Sequence, residues 1–242
     1  MTTTAPDVGV KPRPLPNTAA LRVPPSAWRR AARSLGTFVR HSPMSAFWGL
    51  IALAVVVTAV AAPVLAPVDP LKSNFRAMTK PPSAQNYFGT DQIGRDTLSR
   101  VIWGSRASLT VAFFAVLLGT TTGALWGLAC GFLGGRFDIA SQRAIEFMQS
   151  FPDLVLAMAI AMALGAGTGT VIVAIAITRI PFGGRVIRSV ALSLKELPFV
   201  EAARGLGASN MRLMFRHILP QCVAPFLILA TTHLGVAIII EA

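Results

Sequence analysis

Four stretches of this chain carry no Asp, Glu, Lys or Arg: Met44–Ala66, Ala107–Gly135, Leu154–Thr178 and Gln221–Ile240, of 23, 29, 25 and 20 residues. A bilayer's hydrocarbon core is about 30 Å thick and is crossed by about 20 apolar residues of helix. Each stretch meets that length. A signal peptide has an apolar region of only about 7–15 residues followed by a soluble remainder. A membrane β-barrel shows segments of about ten residues with alternating polarity. Neither pattern is present. Composition agrees: 13% of residues are charged, about half the roughly 25% of soluble domains. The chain reads as an all-α polytopic membrane protein, with Met44–Ala66 a retained span.

The third stretch contains Gly165-Ala166-Gly167-Thr168-Gly169, which reads as a turn. Charge decides how to divide it. Arg179 to Pro220 holds seven Lys/Arg against Glu196 and Glu201, and short basic loops stay cytoplasmic. With the N-terminus inside, two spans are needed here rather than one. The expected map has five spans, at about 44–66, 107–133, 144–164, 168–187 and 221–240. It places 16 Lys/Arg inside and six in the outer loop between spans one and two.

Residues 1–43 form a basic, proline-rich cytoplasmic tail. Trp28 to Val39 reads either as a basic amphipathic helix on the inner leaflet or as a solvated segment that only sets orientation. No groove-reading motif is present, so nucleic acid is not an expected partner.

The loop over 195–220 carries the richest local pattern. Pro198 starts a helix, where its missing N–H costs nothing. Glu201 suits the positive helix end. Ala202 and Ala203 are strong helix formers with minimal bulk. Gly205 and Gly207 end the helix, and a second short helix is expected over Asn210 to His217 before the chain re-enters the membrane. Such a compact helix suits transmission of force between a soluble partner and the spans.

These residues resemble a known family. Glu201-Ala202-Ala203, Gly207 four residues later, and Ile218-Leu219-Pro220 resemble the EAA signature of ABC-transporter importer permeases. Phe88-Gly89-Thr90-Asp91-Gln92-Ile93-Gly94-Arg95-Asp96-Thr97-Leu98-Ser99-Arg100 resembles the G-T-D-x-x-G-R-D-x-x-S-R stretch of the second permease in dipeptide, oligopeptide and nickel importers. Gly134-Gly135-Arg136-Phe137-Asp138 looks like the same family's inner loop. The resemblance runs from about Met44 to Ala242.

It implies a type I importer permease bundle in a bacterial cell membrane, paired with a related second permease as a heterodimer. Two ATP-binding subunits, or one fused ATPase, bind ATP and Mg, and this chain itself holds no cofactor. An extracytoplasmic substrate-binding protein delivers the cargo. Glu201, Ala202, Ala203 and Gly207 are the implied ATPase-coupling residues. The family's pattern continues into a sixth span, which is missing here, so a truncated or short gene is expected.

The chain reads as no enzyme. There is no G-x-x-x-x-G-K-[ST] phosphate loop, no H-E-x-x-H and no G-x-S-x-G. Ser99 and Ser105 have no nearby base. His41, His217 and His233 are scattered, as are Cys130 and Cys222, so no metal site is expected. His233, inside span five, reads as a buried hydrogen-bonded imidazole. Two charges fall within spans: Asp153, and Arg179 about nine residues before Arg188, each roughly 13 Å from the inner end of its span. Either they pair across spans three and four or both snorkel to the inner interface. Asp96 is expected to cap a helix carrying Leu98, Val101 and Ile102 at the outer interface. The Asp91–Asp96 stretch either touches a partner or forms a structural elbow; the elbow is favoured for its individual charges.

The leading function is the permease half-path for short peptides. The alternatives are a nickel importer permease and, in a different class, an ion-coupled secondary carrier. Substrate-path residues are not assigned by the sequence.

Overall fold

A computed structural model describes residues 36–37 and 39–241. Most of the expected tail, including residues 28–35 and 38 of its Trp28–Val39 segment, lies outside the described residues. The chain divides into two units, Met1–Ala52 and Leu53–Ala242. In the first, the described residues include the start of helix α1 (Pro43–Val60), where Phe47 and Trp48 meet edge to face at 5.5 Å.

In the second unit, α1 ends at Val60 and a short helix follows at Ala62–Leu65. Then come α2 (Thr97–Leu133), α3 (Gly135–Gln149), α4 (Asp153–Leu164), α5 (Thr168–Lys195), α6 (Pro198–Gly205) and α7 (Val223–Glu241). No strand occurs among the described residues; Thr90 and Asp96 form an isolated bridge. The fold is an all-α membrane bundle. Among the described residues, four helical stretches are long and apolar enough to cross a bilayer, and the α3–α4 pair makes a fifth if its two halves form one broken span.

α2 starts ten residues before the expected span. Only Gly104 weakens the helix between Thr97 and Ala107, and a single glycine is tolerated. The capped segment after Asp96 and the span therefore merge into one helix of 37 residues, about 55 Å long. Likewise α5 continues past Ile187 to Lys195, with Pro181 buried inside it.

The expected third span, 144–164, is not one rod. α3 and α4 meet at an 89° bend. Pro152 has no N–H to give and disfavours helical geometry in the residue before it. The freed groups are tied locally: Ser150 N–H and Oγ both donate to the Phe147 carbonyl, at 3.2 and 2.7 Å. Asp153 then opens α4 in its first turn. The second loop helix also departs from expectation. An α-turn at Asn210–Arg212 widens into π geometry over Leu213–Ile218 and tightens to 3₁₀ over Leu219–Cys222. Pro220 is the cause, because its ring crowds the carbonyl four residues earlier and withholds a donor.

α2 and α5 form the core pair. Gly119, Gly123 and Gly127, one helical turn apart, lie against the α5 backbone. A Cβ added at each would stand 2.2 Å from the Ala176 carbonyl oxygen, 2.3 Å from that of Ile180 and 2.1 Å from that of Gly184. Small residues let membrane helices approach this closely, and packing replaces the missing hydrophobic drive. Toward the α6 end, Leu128, Ile187, Val200, Leu213, Met214 and Ile218 form one buried cluster. Toward the other end, Val111, Ala115, Val116, Ile175 and Ala237 form another. Phe113, Phe114, Leu117 and Leu118 on α2 remain exposed, as suits a surface wetted by lipid or covered by another subunit.

Candidate functional site

The Glu201 loop is a short helix braced from below. Pro198 occupies the first turn of α6, as the sequence predicts. Val200 is fully buried in the cluster shared with α2 and α5, and Ala203 packs against its edge. Glu201, Ala202 and Arg204 face outward, and Leu206 at the end of the helix is 89% exposed. Gly207 closes the helix at φ +84°. Its N–H donates to the Arg204 carbonyl at 2.9 Å, and the Ala208 N–H donates to the Ala203 carbonyl at 3.0 Å. That bond pair is a Schellman cap, with glycine in its left-handed position and an Ala203–Ala208 apolar seam beneath it. Ser209 then caps the next turn through the Arg212 N–H. The result is a stiff knob with a small-residue outer face, anchored to the two core helices.

Asp153 and Arg179 are brought together. Arg179 Nη2 donates to Asp153 Oδ2 between α4 and α5, with the Arg179 side chain 3% exposed and that of Asp153 37% exposed. Arg179 Nε donates to Thr178 Oγ1 at 3.2 Å. The guanidinium lies 5.3 Å from the centroid of the Phe182 ring. Phe182 meets His233 edge-on at 5.8 Å, and His233 Nδ1 shares a 3.1 Å hydrogen bond with Thr120 Oγ1. A continuous string of polar and aromatic contacts thus joins α4, α5, α7 and α2. No group of three or more His, Cys, Asp or Glu suited to a metal occurs among the described residues.

Sequence reasoning missed a further clamp. Arg188 on α5 grips Asp138 on α3 with two hydrogen bonds of 2.6 Å, Nε to Oδ1 and Nη2 to Oδ2. Trp126 Nε1 on α2 donates to Ser141 Oγ on α3 at 3.0 Å. Fifty residues separate Asp138 from Arg188, and no local pattern links them. A signal did exist: an acid one turn after the Gly134-Gly135 pair, in the first turn of the helix that follows.

The Asp91–Asp96 stretch before α2 is an elbow whose charges are engaged within it and by the first turn of α2. Asp91 Oδ2 accepts from Arg95 Nε at 2.7 Å and Arg100 Nη1 at 2.6 Å; Oδ1 accepts from the N–H groups of Ile93 and Arg95. Asp96 Oδ2 caps α2 through the Ser99 N–H at 2.8 Å, and its Oδ1 accepts from Asn86 Nδ2. Gly94 has φ +78°, and a Cβ there would overlap the Asn74 carbonyl oxygen at 1.9 Å. Desolvation pushes the Asp91 pKa up, but the hydrogen bonds and charge of Arg95, with the Ile93 N–H, hold it well below the usual carboxylate range.

A folded-state pKa below the unfolded one adds stability that is complete above about pH 3.9 and is lost as pH falls toward the folded value. Asp91 therefore contributes no pH dependence to the elbow between pH 5 and 8. Hydrogen-exchange protection over residues 68–96, corrected for the intrinsic pH dependence of amide exchange, is expected to stay flat there and to fall below about pH 4. In Asp91→Asn the same amides are less protected between pH 5 and 8, and the acid step shrinks.

Comparison with known proteins places this architecture. Residues 123–242, from the α2 glycines to the chain end, match the family "Binding-protein-dependent transport system inner membrane component". The chain is similar to the dipeptide transport system permease protein DppC of Alkalihalophilus pseudofirmus, 36% identical over 214 residues that make up 88% of this chain and 69% of the relative. It is similar to the probable D,D-dipeptide transport system permease protein DdpC of Escherichia coli, 37% identical over 93% of this chain and 75% of the relative. It also resembles the glutathione transport system permease protein GsiD of Escherichia coli, 37% identical over 89% of this chain and 69% of the relative. The spans, the sequence motifs and these likenesses converge, and the chain belongs to the family of inner-membrane components of binding-protein-dependent transport systems, the multi-pass permease subunits of ABC importers, which are not themselves enzymes.

Proposed function

We propose that this permease carries short peptides inward as one half of a heterodimeric path, driven through α6 by cytoplasmic ATPase subunits. The observation that carries the coupling role is the geometry of α6. Its inner side, Val200, is locked into the cluster between α2 and α5, while Glu201, Ala202 and Leu206 stand free for a partner. A push on a knob so anchored moves the core helices as a body instead of bending a loop. The N-terminus and the 195–220 loop lie on the cytoplasmic side in this reading, by the excess of Lys/Arg there. ATP and Mg belong to the partner ATPases, and an extracytoplasmic binding protein supplies the peptide. The peptide assignment follows the relatives, which are permease proteins for dipeptides, D,D-dipeptides and glutathione. Nickel import and ion-coupled transport are not favoured.

The test uses the reconstituted complex in proteoliposomes. Glu201→Lys and Gly207→Val are each expected to lower ATP-driven dipeptide uptake at least tenfold while the subunit still inserts. Gly207→Val places a β-branched residue at φ +84°, a local cost of about 1–2 kcal/mol, enough to loosen the cap without unfolding the bundle. Unchanged uptake and unchanged ATPase association in both variants would remove the coupling role. Labelling that placed residue 201 on the extracytoplasmic face would remove the orientation as well.

A further inference from the structure

The break between α3 and α4 opens a cleft of about 490 Å³ lined by Glu146, Gln149, Ser150, Asp153, Phe182 and Arg185. Its depth follows from helix lengths. Asp153 lies eleven residues from Leu164, and Arg179 eleven from Thr168. At 1.5 Å per residue both stand about 17 Å from the Gly165–Gly167 turn, near the middle of a core about 30 Å thick. Arg185 sits six residues further along α5, about 9 Å nearer the end of the span opposite that turn.

Irregular backbone at this depth survives only where protein buries it or water fills the cavity beside it. The same holds for the half-exposed Asp153, which cannot face lipid tails at mid-core, and exposed Glu146 and Arg185 line the same cleft. The cleft therefore opens on an aqueous path or on another polypeptide. Its chemistry is two-signed. Glu146 and Asp153 supply carboxylates, each engaged through one oxygen: Asp153 Oδ2 accepts from Arg179, and Glu146 Oε2 accepts from the exposed Arg143 Nη1 at 2.7 Å. Arg185 supplies a guanidinium that makes no ion pair among the described residues. In the same lining, Gln149 Oε1 is buried without a hydrogen-bond donor, and Phe182 adds an aromatic side chain.

A ligand that satisfies all of these carries an ammonium at one end, a carboxylate at the other and amide N–H groups between. The volume lies within the roughly 300–1,000 Å³ of small-ligand sites. We infer that this cleft is the subunit's contact for a zwitterionic short peptide in transit. Its ammonium is held by Glu146 and Asp153, its carboxylate by Arg185, and an amide N–H by Gln149. This rests on the peptide-importer reading above.

The experiment uses the full complex with ATPases and binding protein in proteoliposomes, a radiolabelled dialanine cargo, and saturating binding protein. Glu146→Gln and Arg185→Gln are each expected to cut the maximal uptake rate at least tenfold. Their dependence on binding-protein concentration should not change, and Arg185→Lys should restore most of the rate. In a Cys130→Ala, Cys222→Ala background, Ser150→Cys is expected to react with a water-soluble cationic thiol reagent, and dialanine during turnover should slow that reaction severalfold. Two results overturn the inference: rates within twofold of wild type in both glutamine variants, or a Ser150→Cys thiol inert because the second permease covers it. In either case wild-type dialanine uptake persists, so the peptide-importer reading stands. Absence of dialanine uptake by the wild-type complex would instead remove that reading, and this inference with it.

Discussion

Replacing Gly127 by Leu is expected to abolish the folded permease. A Cβ at this position would lie 2.1 Å from the Gly184 carbonyl oxygen and 2.8 Å from its carbon, and both belong to a helix backbone that has no rotamer to change. α2 and α5 must separate by an ångström or more, which breaks the packing along their whole shared length. Overpacking into flexible cores costs about 1–3 kcal/mol. Here the obstacle is rigid, so the loss lies at or above the top of that range. The readout is the yield of monodisperse protein in mild detergent and its thermal unfolding midpoint. Gly127→Ala should fall between wild type and Gly127→Leu. Gly104→Ala, where nothing lies within 4 Å, should match or slightly exceed wild type, since alanine favours helix over glycine. Equal stability of Gly127→Leu and wild type would show that the two helices do not touch through this stripe.

The second large effect is an asymmetry within the Asp153–Arg179 pair. Breaking a buried pair costs about 3–5 kcal/mol when it strands an uncompensated charge. The stranded charge differs between the two deletions. Asp153→Asn leaves a guanidinium that is 3% exposed, whereas Arg179→Leu leaves a carboxylate that is 37% exposed and opens onto the cleft. Asp153→Asn is therefore expected to be the more destabilising substitution, although it changes fewer atoms. The double variant Asp153→Asn, Arg179→Leu should recover part of the loss, because no charge is then left at depth. Unfolding in detergent measures all three. Additive losses would mean that the two side chains do not depend on each other.

How much of this was legible in advance varies with the range of the interaction. The start of α6 and its end at Gly207 follow from Pro198, two alanines and a glycine within ten residues, so local chemistry suffices. The Asp96 cap is equally local. The bend at Ser150–Pro152 was written in the missing N–H of one proline, but the largely apolar stretch over 144–164 reads equally well as a straight rod. The π-turn over Leu213–Ile218 was hidden in the same way behind Pro220. The glycines at 119, 123 and 127 keep a helical spacing that marks a contact face, yet nothing local names the facing helix. The Asp138–Arg188 clamp and the Thr120–His233 bond join residues fifty and 113 positions apart, and no local rule reaches that far.

Hydrophobic length and the placement of Lys and Arg were enough to specify a multi-pass helical membrane protein, because the cost of exposing backbone or charge to hydrocarbon depends only on what a segment is made of. Which helices approach to backbone contact, how the bent 144–164 stretch packs, and which charges share a cleft depend on partners distant in the chain. Only the tertiary structure settles those, because packing and ion pairing are properties of two surfaces in register, and one segment carries only its own half.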